Sequence, residues 1–186
     1  MNAALLVIDV QNDLVDALPS ERSSALLEII ADLVSNARAR RMPVVYVRHN
    51  EDDGPLRLGA LPWEIAAAIA PQPGDPIVEK RFGDAFLETD LGELLKTRNV
   101  DELIVCGMQS DFCVNATTRG AIALGYRVTL VEDAHATYDA AGKTERQIID
   151  ELHAALRDLS VRTVPARRVW ASGSRTKQPA GGGAAW

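Results

Sequence analysis

What most constrains this chain is the nearly unbroken aliphatic run at residues 3–10, "AALLVIDV", whose apolar residues neither alternate nor fall at helical spacing. A strand that is apolar at consecutive positions needs cover on both faces, the situation of a strand inside a parallel sheet flanked by helices. Shorter runs at 43–47, 77–80, 103–106, 127–131 and 161–164 repeat the signal. Helical patterns lie between them. Residues 23–41 place Leu26, Ile29, Ile30, Leu33, Val34 and Ala37 on one face, with Ser at the start and Arg at the end, as capping and the helix dipole favour. Segments 90–98, 113–124 and 143–158 follow the same pattern, and Gly125 is placed to stop the third helix. The alternation predicts a three-layer α/β/α fold around a six-stranded, mostly parallel, doubly wound sheet. The long link at 50–76 departs from it: Pro, Gly and acids surround one predicted amphipathic helix at 63–69. Such excursions form lids or pocket walls.

Composition narrows the partners. With 186 residues, 47% hydrophobic and 25% charged, the chain supplies one core, assigned to a domain at 1–170. Residues 171–186, "ASGSRTKQPAGGGAAW", read as a flexible Gly/Ala-rich tail without a catalytic part. A net charge of −6 without any Lys/Arg stripe argues against nucleic acid. The apolar runs are too short to span a bilayer, and no basic flank precedes the first, so it reads as a strand rather than a signal peptide. Two cysteines that do not form C-x-x-C signal neither a disulfide scaffold nor a zinc knuckle, and a cytoplasmic setting is expected. Small molecules are the expected partners.

In open parallel sheets ligands bind beyond the carboxyl ends of the strands. Asp9 closes the first run, Lys80 closes the third, and Cys113 follows the fourth at the predicted start of a helix. Taken singly, such an Asp ordinarily caps a turn and such a Lys is ordinarily a solvated surface charge. Cys106 sits inside an aliphatic strand and reads as packing. Cys113, at a helix start, is expected to have its thiolate favoured by the dipole. A thiol that attacks a carbonyl needs a proton acceptor and a nearby cation, and Asp9 and Lys80 are the candidates. A dinucleotide-binding module is a rival reading, but "GMQSDFC" is not G-x-G-x-x-G. A catalytically silent subunit is another.

The blocks "LLVIDVQND", "VEKRFGDAFLETDL" and "VCGMQSDFCVNATTRGAIALGYRVTLVEDAHAT" occur in this order. They resemble the signature blocks of the isochorismatase-like cysteine hydrolases, a superfamily holding nicotinamidases, N-carbamoylsarcosine amidases, ureide amidases and streptothricin hydrolase. The resemblance implies a triad of Asp9, Lys80 and Cys113, a non-proline cis peptide at Met108–Gln109, and an oxyanion hole built from the backbone N–H groups of Gln109 and Cys113. It implies hydrolysis of a C–N bond in a small amide, ureide or lactam through a thioester. The alternatives are an isochorismatase-type vinyl-ether hydrolase and a silent oligomeric member, and a homo-oligomer is expected.

Metal-dependent nicotinamidases carry a carboxylate and several histidines after the second strand. Here that stretch is "YVRHNEDDG", with one histidine, so neither metal nor other cofactor is expected. His49 and Asp52 remain candidate pocket liners. His135 is placed at a strand end and His153 on a helix surface. Gln11, Trp63, Phe82, Phe86 and Phe112 are candidate substrate-binding residues, with ordinary packing the alternative for the aromatic ones.

Overall fold

The computed structural model describes residues 2–171. Six strands, β1 (Ala3–Ile8), β2 (Val44–His49), β3 (Ile77–Lys80), β4 (Glu102–Met108), β5 (Arg127–Ala136) and β6 (Arg162–Val164), form one sheet in the order β3-β2-β1-β4-β5-β6. Every pairing is parallel. The long apolar run lies at the centre as β1, and its side chains divide between two cores. Leu5 and Val7 pack with Leu26, Ile30, Leu33 and Val34 of α2 (Ser20–Ala39). Leu6 and Ile8 face the other layer. There they pack with Leu91 and Leu95 of α3 (Leu91–Thr97) and with Leu152 and Leu156 of α5 (Glu145–Asp158). Both β1 leucines are 0% exposed, so each contributes roughly 1.5–3 kcal/mol of apolar burial. The consecutive apolar positions of the sequence are thus used one to each face.

Several segments depart from expectation. Residues 172–186, most of the expected tail, lie outside the described residues. The helix expected at 63–69 is instead two 3-10 turns, Leu61–Trp63 and Ala67–Ile69. Between them the chain is pinned to the end of the first strand: Ile65 bridges Gln11, and the Ala66 N–H donates to the Val10 carbonyl at 3.0 Å. Backbone that pairs with a strand end cannot also close a helical turn. Cys113 does not open an α-helix either. It lies in a π-helical turn, Ser110–Val114, that precedes α4 (Asn115–Ala123). A short α1 (Asn12–Asp16) and a final α6 (Ala166–Val169) carry too few apolar residues to announce themselves by periodicity. Among the described residues no helix is long and apolar enough to cross a membrane.

Candidate active site

The reactive groups come from the carboxyl ends of four neighbouring strands. Asp9 follows β1 with φ of 49°, a left-handed conformation that a non-glycine residue keeps only when its surroundings impose it. The residue before Asp9, Ile8, pairs across the sheet with Gly107. The glycine's φ is 125°, and a Cβ there would lie 2.0 Å from the Ile8 carbonyl oxygen, so the two backbones meet where only glycine fits. The chain then passes through a cis peptide at Met108–Gln109, as the resemblance implies, into the turn bearing Cys113. Lys80 ends β3 and His49 ends β2.

These side chains meet at one atom. Lys80 Nζ lies 2.7 Å from Asp9 Oδ2, 3.1 Å from His49 Nδ1 and 3.2 Å from Cys113 Sγ. An ammonium has three N–H donors, and each has a partner. Lys80 is 2% exposed and Asp9 0%. Burial works against the Lys80 charge, but Asp9 and the Cys113 sulfur outweigh it and hold the pKa above the ordinary lysine value. Both Asp9 oxygens are buried without a geometric hydrogen bond, and Oδ2 is engaged in the Lys80 ion pair, which leaves Oδ1 as the acceptor open to a proton.

Beside this cluster lies a cavity of about 700 Å³, lined by Asp9, His49, Gln109 and Cys113, with Leu14, Leu56 and Phe112 as apolar wall and Glu51, Asp111 and Arg119 as charged wall. The loop after Lys80 is locked onto the helix that follows Cys113. The Thr117 hydroxyl accepts the Ala85 N–H at 3.0 Å and donates to the Gly83 carbonyl at 3.3 Å. Gly120 leaves room for the Asp84 carboxylate, which a Cβ would meet at 2.3 Å.

The family model for the isochorismatase domain matches residues 3–160. The chain belongs to the isochorismatase family. Streptothricin hydrolase from Streptomyces noursei is 41% identical over 140 residues, covering 73% of this chain and 55% of that protein. A second streptothricin hydrolase is covered over 50% of its length, so the chain spans about half the length of these relatives. An isochorismatase from Pseudomonas putida KT2440 superposes with a TM-score of 0.83 at 32% identity, covering 89% of each chain. N-carbamoylsarcosine amidase from Thermoplasma acidophilum shares the fold, with a TM-score of 0.77 at 24% identity over 91% of this chain and 99% of its own.

Within this isochorismatase fold the expected pocket residues separate. Phe112 lines the cavity and is 62% exposed. Gln11, Trp63, Phe82 and Phe86 do not line it. Gln11 is a buried bracket: its Nε2 donates to the carbonyls of His49 (3.0 Å) and Trp63 (2.8 Å), and its Oε1 accepts the His49 N–H (2.8 Å). Trp63 is buried under the Arg48 guanidinium, 3.3 Å from the ring centroid, and bonds the Asn50 side chain. Phe86 stacks on Tyr126. Phe82 borders a smaller pocket on another side of Lys80. Asp52 is exposed and paired with Arg81. Glu51, Asp111 and Arg119 carry no motif of their own: the folded link brings Glu51 to the wall, the π-helical turn Asp111, and α4 Arg119. The one local signal is Ala116, three positions after Cys113 and so on the same side of the helix.

His153 is not a free surface residue. It is half-buried, and its Nε2 lies 2.9 Å from Nε2 of the fully buried His135, whose Nδ1 lies 2.7 Å from Ser110 Oγ.

The thiol also departs from expectation. Burial and the Asp9 carboxylate push the Cys113 pKa up to about 12, with the Lys80 ammonium pulling the other way. The resting group is therefore a thiol, not a thiolate: its buried place beside a carboxylate outweighs the helix dipole. A cysteine raised in this way ionises only as pH climbs toward its folded pKa. Alkylation of Cys113 by iodoacetamide, followed by peptide mass spectrometry, should keep accelerating with pH through pH 10. A plateau below pH 8 would contradict this. Cys106, 0% exposed and raised further by burial alone, should label more slowly at every pH.

The donor atoms of Asp9, His49 and Cys113 lie within 4.8 Å of one another, a spacing suited to a metal ion. The Lys80 ammonium, however, is within 3.2 Å of all three. A divalent cation would have to displace that fixed positive charge, so these residues do not fit a metal as they stand. Dialysis against a strong chelator should leave the rate unchanged. A loss restored by zinc, iron or manganese would overturn this reading.

Proposed function

We propose that this chain hydrolyses a C–N bond of a small amide, ureide or lactam through a thioester on Cys113. The observation that carries the reading is the meeting of a thiol, an ammonium and a half-unpartnered carboxylate beside a cavity large enough for a small molecule. The similarity to streptothricin hydrolase supports it.

As Cys113 Sγ attacks the carbonyl carbon, its proton passes to Asp9 Oδ1. Lys80 stabilises the charge developing on sulfur at 3.2 Å. Backbone N–H groups of Gln109 and Cys113 receive the oxyanion, each such donor being worth on the order of 100-fold in rate. Asp9 then hands the proton to the leaving nitrogen and the C–N bond breaks. Water, deprotonated by Asp9, attacks the thioester and releases the acid, and the proton returns to sulfur. A vinyl ether offers no acyl carbon to Cys113, so the isochorismatase reaction makes no use of this thiol. A reducing compartment would keep the thiol free, and a homo-oligomer is the assembly we propose.

The test is a panel of primary amides, ureides and lactams assayed for ammonia or amine release, with acyl adducts sought by mass spectrometry. A responsive substrate should acylate Cys113 transiently and be untouched by the Cys113→Ala variant. Equal release by Cys113→Ala would refute the proposal.

A further inference from the structure

The charge logic around Lys80 reaches one residue that the proposed cycle does not use. An ammonium only donates hydrogen bonds, so His49 Nδ1, 3.1 Å from Lys80 Nζ, has to accept one. A ring whose Nδ1 is an acceptor is neutral and carries its proton on Nε2. An imidazolium would set an N–H against an ammonium N–H at hydrogen-bonding distance. Gln11 holds both backbone groups of His49 and so fixes the point from which the ring extends, while the Lys80 contact at 3.1 Å orients the ring itself. The charged and titratable groups around the ring are Lys80 from β3, Asp9 beyond β1, Cys113 from the π-helical turn and Glu51 just beyond β2. Burial first, and Lys80 second, lower the His49 pKa.

Among the described residues nothing accepts a hydrogen bond from His49 Nε2, yet the residue lines the cavity beside Cys113. The near side of the ring is spent on Lys80. Its far side therefore presents a fixed N–H donor to whatever occupies the cavity.

We propose that His49 is a neutral, Nε2-protonated hydrogen-bond donor to the substrate, selecting amides, ureides or lactams that carry an acceptor atom beside the scissile carbonyl. The tautomer stands on the Lys80 geometry alone, whereas the substrate preference rests on the hydrolase reading above. Once a substrate fills the cavity and covers this donor, the site discriminates against a substrate with an ammonium or other donor in the same place, because two donors would face each other unpaired.

Two side chains divide the roles of the ring. In His49→Asn the amide oxygen replaces the Nδ1 acceptor, so Lys80 keeps its partner while the distal donor is lost. In His49→Gln the amide nitrogen reaches the position of Nε2 and keeps the donor, at the expense of the Lys80 contact.

The experiment has two arms. In the first, protein labelled with 15N-histidine is examined by NMR, the His49 signals being assigned by their loss in His49→Asn. The expected pattern at pH 7 is a protonated Nε2 and an unprotonated Nδ1. A doubly protonated ring, or the proton on Nδ1, overturns the proposal whatever the protein catalyses. The second arm measures reversible inhibition by pyridine-2-carboxaldehyde and pyridine-4-carboxaldehyde. With each, Cys113 Sγ adds to the aldehyde carbon and the thiol proton ends on the new hydroxyl, giving a thiohemiacetal. Both rings are electron-poor, but only the first places an acceptor nitrogen beside the carbonyl. The wild-type protein should bind the 2-isomer roughly tenfold more tightly than the 4-isomer. That ratio should collapse in His49→Asn and survive in His49→Gln, even if Gln weakens both compounds. A ratio unchanged in His49→Asn overturns the proposed donor role. A wild-type protein that binds neither aldehyde, with Cys113 intact, overturns the hydrolase reading and the substrate half of this proposal with it.

Discussion

Asp9→Asn should lower turnover by at least about a thousandfold, the scale seen when one member of a catalytic unit is removed. The substitution hardly changes side-chain volume at a residue that is 0% exposed. What it removes is the proton acceptor, since an amide oxygen does not take a thiol proton, and the charge that balances Lys80 at 2.7 Å. Breaking a buried ion pair costs about 3–5 kcal/mol when the remaining charge is stranded. Lys80 can relieve part of that by shedding its proton, so the variant should fold with a reduced melting temperature. Circular dichroism and kcat on one responsive substrate separate the two effects. Cys113→Ser should be equally inactive and folded, because a serine hydroxyl holds its proton too tightly for this carboxylate. Since the groups act as a unit, the double variant should be little worse than the poorer single one. Near-normal turnover by Asp9→Asn would rule out Asp9 as the proton carrier. Cys106→Ala, by contrast, should keep its turnover and lose only packing stability.

Among the glycines of the described residues, Gly107 should be the most damaging to replace by alanine. Its new Cβ would meet the Ile8 carbonyl oxygen at 2.0 Å and the Ile8 nitrogen at 2.7 Å, with φ at 125°. Both obstructing atoms are backbone, so no side-chain rotation relieves the clash, and β1 and β4 would have to part at the centre of the sheet. A loss of more than about 4 kcal/mol is expected, in the range reserved for severe overpacking or strain. Gly74→Ala provides the control: its φ is 98° but nothing lies within 4 Å of the added carbon, so it should suffer only the left-handed penalty of about 1–2 kcal/mol. Denaturant midpoints of the two variants measure the difference. Comparable midpoints would show that steric contact between β1 and β4 is not what requires glycine at position 107.

The sequence carried the sheet and the reactive residues for the same reason. Strands covered on both faces need consecutive apolar side chains, so Asp9 and Lys80 stand out where the runs end, and Cys106 and Cys113 differ by lying inside and beyond a run. The pocket wall was less legible. Gln11 could be placed at a strand end, but its role as a bracket between His49 and Trp63 depends on where the 50–76 link returns. The link's two 3-10 turns arise from pairing with that strand end, a tertiary contact that overrides local helical preference. The protonation of Cys113 was hidden for a similar reason. Its position along the chain suggests the helix dipole, whereas what raises it is burial in the folded site and, second, a carboxylate from the end of β1, about a hundred residues earlier in the chain.

That separation has a consequence for how the protein becomes active during folding. Asp9, His49, Lys80 and Cys113 stand at or just beyond the ends of β1, β2, β3 and β4 in the chain but meet through the spatial order β3-β2-β1-β4. The carboxylate and the thiol are parted by more than half the chain, so closing the loop between them carries the entropy cost of a long-range contact. No hairpin or βαβ fragment contains the whole cluster. Catalytic competence should therefore be an all-or-none property of the finished sheet, and on refolding it should return with the slowest phase that docks β1 against β4, behind the recovery of helical signal.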